Sequence, residues 1–180
     1  MKLPLTDVLI LEILAVLVLL LIFLQDVRSR AVHWFLFPVL AGLLTIIRLY
    51  DHPWFAIWQV ASINMGFLAV QLLILTVYFS LKNKKWINIT RQLLGWGDVL
   101  LLICLTVYLS ALNFLFFYMV SLTGVLLLWL GWQGVSPKKS KYIPLAGFQS
   151  LIFILFLASD WWYWSFDLTD DAWLLNLISK

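Results

Sequence analysis

Two aspartates, Asp26 and Asp98, stand at the edges of hydrophobic runs in a chain with few charges. Asp26 follows the first run and precedes Arg28 and Arg30. Asp98 closes the tetrapeptide Gly95-Trp96-Gly97-Asp98 and opens a later run. An ionisable carboxylate at the edge of a membrane segment is costly, so it marks a functional position by default. Two carboxyl groups close enough to hold one water can hydrolyse an amide. Like charges a few ångströms apart cannot both ionise, so such a pair shares a proton and titrates as a unit. One carboxylate takes a proton from water as general base, and its protonated partner donates to the scissile carbonyl oxygen. Gly95 and Gly97 are expected to let the backbone bend ahead of the helix and to admit a substrate strand. Taken singly, each aspartate has a plainer role: Asp98 as a helix N-cap, Asp26 as a loop residue paired with Arg28 or Arg30. The chemistry requires both on one membrane face.

The elements that must position them are membrane helices. The chain is 64% hydrophobic and 12% charged, with a mean hydropathy of +1.00, whereas soluble domains carry roughly a quarter charged residues. No polar stretch is long enough to enclose a core of its own, so residues 1–180 read as a single integral membrane domain. Cys104 is the one cysteine, which excludes an intramolecular disulfide and a CxxC zinc site; a small apolar packing role is expected for it. The first segment has one basic residue, Lys2, and no small-residue cleavage site before Asp26, which favours a retained helix over a signal peptide.

A spanning helix needs about 20 mostly apolar residues, and six runs qualify. They cover Val8 to Leu24, Val32 to Leu49, Trp54 to Leu81, Asp98 to Leu112, Asn113 to Trp132 and Ile143 to Trp164. A tight turn near Ser110 to Asn113 must separate the fourth from the fifth. The third is long enough to tilt or to extend past the bilayer. Nine of the 12 Lys and Arg residues fall in loops one, three and five: Arg28 and Arg30; Lys82, Lys84, Lys85 and Arg91; Lys138, Lys139 and Lys141. The other side keeps Lys2, Arg48 and Lys180 among the acids Asp51, Asp160, Asp167, Asp170 and Asp171. The positive-inside rule then puts both termini outside the cytoplasm and the odd loops within it. Asp26 and Asp98 share the cytoplasmic face, and Asp51 lies opposite. Residues 165–180 read as an outer interfacial tail, with aromatic anchors and a short helix capped by Thr169 or Asp167.

The stretch from Asp26 through Arg30 and Val32-His33-Trp34 to Pro38 resembles the first active-site region of type IV prepilin peptidases. Gly95-Trp96-Gly97-Asp98 is similar to that family's second motif, G-x-G-D-x-K-L. Lys141-Tyr142-Ile143-Pro144-Leu145-Ala146-Gly147 is similar to its third, Ile-Pro-Phe-Gly-Pro after a basic loop. The resemblance spans about residues 8 to 160 and suits the compact members, the Tad/Flp-type and preflagellin peptidases. It implies an aspartic endopeptidase with Asp26 and Asp98 as the catalytic pair and Gly95, Gly97, Arg30 and Pro144 as motif support. It further implies a prepilin-like precursor as substrate, a prokaryotic plasma membrane as the site of action, and no metal or organic cofactor. Three positions depart from the pattern. Val32-His33-Trp34 replaces Ile-Pro-Asn, Leu100 replaces the motif lysine, and Gly147 replaces the second proline. The alternative is a homologue without catalysis, serving as a membrane assembly factor or a small transporter.

Presenilin-type proteases also carry G-x-G-D with a Tyr-Asp partner. Tyr50-Asp51 is present here but on the opposite side, and Pro144-Leu145-Ala146 only scrambles their Pro-Ala-Leu. Glu12, inside the first run, needs protonation or a polar partner such as Asn64 or Gln71; an ion-handling role for it belongs to the transporter alternative. That alternative calls for repeat symmetry, and no internal repeat is visible. His33 has no companion at metal-ligand spacing, and His52 sits in an outer loop. Asn88-Ile89-Thr90 fits a glycosylation pattern on a loop read as cytoplasmic. The lysines at 82 to 85 suit anionic lipid. The 11 tryptophans cluster near run ends, as interface belts do. No phosphate-binding loop or nucleic-acid module is present.

Overall fold

The computed structural model describes residues 5–84, 95–135, 144–163 and 167–178. Lys2, Lys85, Arg91, Lys138, Lys139, Lys141, Lys180 and the Asn88-Ile89-Thr90 pattern lie outside the described residues. Within them the chain is all-helical, without strands. In order come α1 (Leu5–Ser29), α2 (Leu36–Arg48), α3 (Trp54–Asn83), α4 (Trp96–Thr106), α5 (Ala111–Val135), α6 (Leu145–Ala158) and α7 (Ala172–Ile178). A π-helical turn, Ser159–Tyr163, extends α6.

Three of these helices are long and apolar enough to cross a membrane: α1 over Thr6–Ser29, α3 over Trp54–Asn83, and α5 over Ala111–Gly131. The second, fourth and sixth runs form shorter apolar helices of 13, 11 and 14 residues. At a 1.5 Å rise α2 and α4 extend about 16 to 20 Å, and α6 with its π-helical extension (Leu145–Trp161) about 25 Å, all short of a hydrocarbon core of about 30 Å.

Local chemistry explains the shifted boundaries. α2 starts at Leu36 rather than Val32 because Pro38 has no N–H and tolerates only the first turn of a helix. Before it, Arg30 adopts a left-handed conformation (φ 53°) that terminates α1. The turn between the fourth and fifth runs comes earlier than expected, at residues 107–110. There Ser110 accepts the Phe114 N–H at 2.8 Å on its carbonyl and starts α5 at Ala111. Neither Thr169 nor Asp167 caps α7: Asp167 takes the Thr169 N–H and hydroxyl within its own turn, and Asp170 accepts the Ala172 N–H at 3.3 Å.

α1 packs most extensively on α6 and α2, and α4 sits between α2, α3 and α6. The buried stripe of α1 is Ala15, Val18, Leu19 and Ile22, a three-to-four residue spacing that brings Asp26 onto the same face one turn later. On α4, Asp98 leads the buried Leu101, Leu102 and Leu105 in the same way. α1 and α6 run in opposite directions: Phe23, late in α1, meets Phe148, early in α6, edge-on at 6.3 Å. α2 and α4 run the same way: Gly97 at the start of α4 lies beside Phe37 at the start of α2, and Arg48 at the end of α2 donates to Val107 O at the end of α4, 2.9 Å away.

Candidate active site

The first turn of α6 has amide N–H groups with no partner inside the helix. Pro144 is its N-cap (φ −75°, ψ 78°). The next amides are spent on two carboxylates from two other helices. Ala146 N donates to Asp98 Oδ1 at 2.6 Å, and Gly147 N donates to Asp26 Oδ2 at 2.6 Å. Successive backbone nitrogens are at most about 3.7 Å apart, which keeps the two bound oxygens within about 9 Å of each other. The Asp26 charge reaches Asp98. Both side chains are buried, each 9% exposed, and both face the positive end of the α6 dipole.

Asp98 is also tied to its own helix. It occupies the third position of α4 and reaches back with Oδ2 to the N–H of Gly95, 2.9 Å away, as the acidic half of a capping box. Asp98 is therefore not the N-cap. That residue is Gly95, in an ordinary extended conformation (φ −69°, ψ 148°). No described glycine has a positive φ, so neither Gly95 nor Gly97 uses the left-handed backbone open to glycine, and the segment ahead of Gly95 lies outside the described residues. Gly97 instead lies in the first turn of α4, where a methyl group would touch Phe37 at 3.7 Å and Ala146 at 3.9 Å.

Arg30 sits one turn past Asp26: its N–H donates to the Asp26 carbonyl at 2.9 Å, and its charge acts on the Asp26 carboxylate. The connecting segment is held by Gln25, whose Oε1 lies 3.0 Å from both His33 N and His33 Nδ1. Asp51 is at the far end of α2, hydrogen-bonded to Arg48 O through its N–H at 3.3 Å, remote from Asp98. Cys104 is buried, with its thiol 3.1 Å from Phe37 O. Among the described residues no group of three His, Cys, Asp or Glu side chains could hold a metal.

A second polar layer lies at the other end of α4. Tyr108 donates to Asp160 at 2.7 Å and accepts from Trp161 Nε1 at 2.7 Å, and Glu12 lies within electrostatic reach of Tyr108. The amide groups of Asn64 and Gln71 are directed elsewhere, to Thr106 O and Leu109 O and to Tyr118 respectively. The tail locks onto this end: Asp171 Oδ1 accepts from Ser110 Oγ (2.5 Å), Leu112 N (3.0 Å) and Asn113 N (3.4 Å). None of these amide partners is visible in the sequence, because a backbone donor has no letter. The Pro-x-x-Gly spacing at 144–147 is the one available signal for those that hold the carboxylates.

Comparison with known proteins finds no matching family model, no matching curated protein and no matching solved structure.

Proposed function

We propose that this chain is an intramembrane aspartic endopeptidase of the prepilin peptidase type, with Asp26 and Asp98 as its catalytic pair. The supporting observation is the pair of successive α6 amides that each hold one oxygen of the two carboxylates. In this reaction a water between the carboxyl groups gives a proton to the ionised aspartate, and its oxygen adds to the scissile carbonyl carbon. The protonated aspartate donates to the carbonyl oxygen. Collapse of the tetrahedral intermediate breaks the C–N bond, and the leaving amine takes up a proton.

Six helices cross the plasma membrane of a prokaryotic cell, both termini lie outside, and the carboxylates face the cytoplasm. The biased placement of lysine and arginine supports this orientation. The substrate is a prepilin-like precursor whose basic leader stays in the cytoplasm and whose apolar helix lies in the bilayer. Such a protein presents its cleavage point at the level of the pair.

The test is processing of a co-expressed prepilin from the same genome by wild type, Asp26→Asn and Asp98→Asn in membranes. Cleavage by wild type that disappears in both variants is expected. A well-expressed wild type that cleaves no native prepilin would sink the proposal. It would favour the second reading, a transporter or assembly factor built on the layer formed by Glu12, Tyr108 and Asp160.

A further inference from the structure

Gly147 has a neighbourhood unlike that of the other described helical glycines. A Cβ built on it would lie 3.1 Å from Asp26 Oδ2, 3.2 Å from Asp26 Cβ and 3.3 Å from Phe23 O. All three atoms belong to the last two turns of α1, and one of them is backbone, which cannot swing aside. Gly42 and Gly66, by contrast, would meet nothing within 4 Å, and Gly124 would meet only the flexible tip of Ile152, at 3.1 Å. α1 therefore lies in tight contact with α6 at the point where Asp26 meets its amide.

Gly147 is also held within its own helix. Ser150, fully buried, donates to Gly147 O at 2.7 Å. Phe23 and Phe148 flank the crossing. Asp98, meanwhile, is held by Gly95 and Ala146 without help from α1. One carboxylate is thus anchored by α4 and α6, and the other depends on how closely α1 can approach α6.

We propose that Gly147 is a positioning residue for the carboxylate pair: its missing side chain lets α1 close onto the first turn of α6 and so sets the separation of Asp26 from Asp98. This inference rests on the peptidase reading. A Cβ at 147 makes α1 give way around Asp26 by a few tenths of an ångström, while Asp98 keeps its two amides. A proline there would also remove the N–H that Asp26 accepts.

The effect belongs on turnover rather than on substrate binding, because a displacement of about 1 Å at reacting groups can cost on the order of 100-fold in rate. It also belongs on the pH profile. Two carboxyls share a proton because they repel each other, and the repulsion fixes the gap between their two apparent titration steps. Moving them apart shrinks that gap and narrows the bell-shaped rate profile.

The experiment compares wild type, Gly147→Ala and the control Gly66→Ala on one prepilin substrate, reading kcat, KM, the pH–rate profile and the melting temperature. Expected for Gly147→Ala is a fall in kcat of about tenfold or more, with KM within about twofold and a narrower pH bell. Gly66→Ala should match wild type in all four. An unchanged kcat and profile in Gly147→Ala overturns the inference, as does a loss of activity that keeps the wild-type profile and follows a drop in melting temperature. A wild type that hydrolyses no prepilin overturns the peptidase reading and this inference with it; an active wild type beside an unaltered Gly147→Ala overturns this inference alone.

Discussion

The two aspartates are bound differently, and the difference predicts unequal costs for the same substitution. Asp98 accepts amide N–H groups on both oxygens, from Gly95 and from Ala146. Among the described residues, Asp26 accepts from one amide, that of Gly147. In Asp98→Asn the new side chain has to point its NH2 group at an N–H, leaving a buried donor without an acceptor, which costs about 1–3 kcal/mol. In Asp26→Asn the side-chain carbonyl oxygen can turn toward Gly147 and keep the bond. Thermal unfolding in detergent should therefore show Asp98→Asn clearly destabilised and Asp26→Asn close to wild type. Equal melting temperatures for the two would contradict this account of the site. At this scale the carboxylates are legible from the sequence, since charge at the edge of an apolar run stands out. The amides of 146 and 147 are not: Gly147 registers there only as a departure from a motif, when its lack of a side chain is what lets α1 approach.

The helices depart from expectation wherever a boundary depends on a partner distant in sequence. α2 is legible after the fact from Pro38 alone. The start of α5 is only half legible: Ser110 is an ordinary capping residue, but the Leu112 and Asn113 amides are taken by Asp171, 58 or more positions away. Periodicity and local turn chemistry contain no trace of such a cap. The tail reads in sequence as a membrane anchor, yet Leu168 is buried in the core and Trp173 packs edge-on to Phe116 at 5.9 Å. Asp171→Ala removes the acceptor of three donors and should cost about 1–2 kcal/mol, the upper range for a lost cap. Asp167→Ala should cost less, because among the described residues that carboxylate accepts hydrogen bonds from Thr169 alone, within its own turn. The check is the melting temperature of both variants in one detergent. An Asp167→Ala protein less stable than Asp171→Ala would refute the long-range cap.

Over the whole molecule, composition is enough to read an all-helical chain rich in membrane helices, but the lengths of α2, α4 and α6 pose a problem that hydropathy could not. The direction of the long helices answers it. Phe67 of α3 meets Phe114 and Tyr118 of α5, and Gln71 then bonds to Tyr118, so α3 and α5 run parallel. α6 runs against α1, by the pairs Phe23–Phe148 and Asp26–Gly147. It also runs against α5, where Phe117 meets Phe153 and Ser121 accepts from Gln149. Three long helices that point the same way can all cross a bilayer only if the chain returns between them. We therefore expect α2 and α4 to carry those returns, with the irregular residues at their ends shielded by surrounding protein rather than exposed to lipid. In a Cys104→Ser background, single cysteines at Asp51, Ser29 and Asn83 test this with a maleimide reagent that cannot pass the membrane. Asp51→Cys should react in intact cells, and Ser29→Cys and Asn83→Cys only after permeabilisation. Reaction of Ser29→Cys and Asp51→Cys from the same side would mean that α2 does not cross; the carboxylates would then lose the membrane-boundary setting on which the proposed cleavage depends.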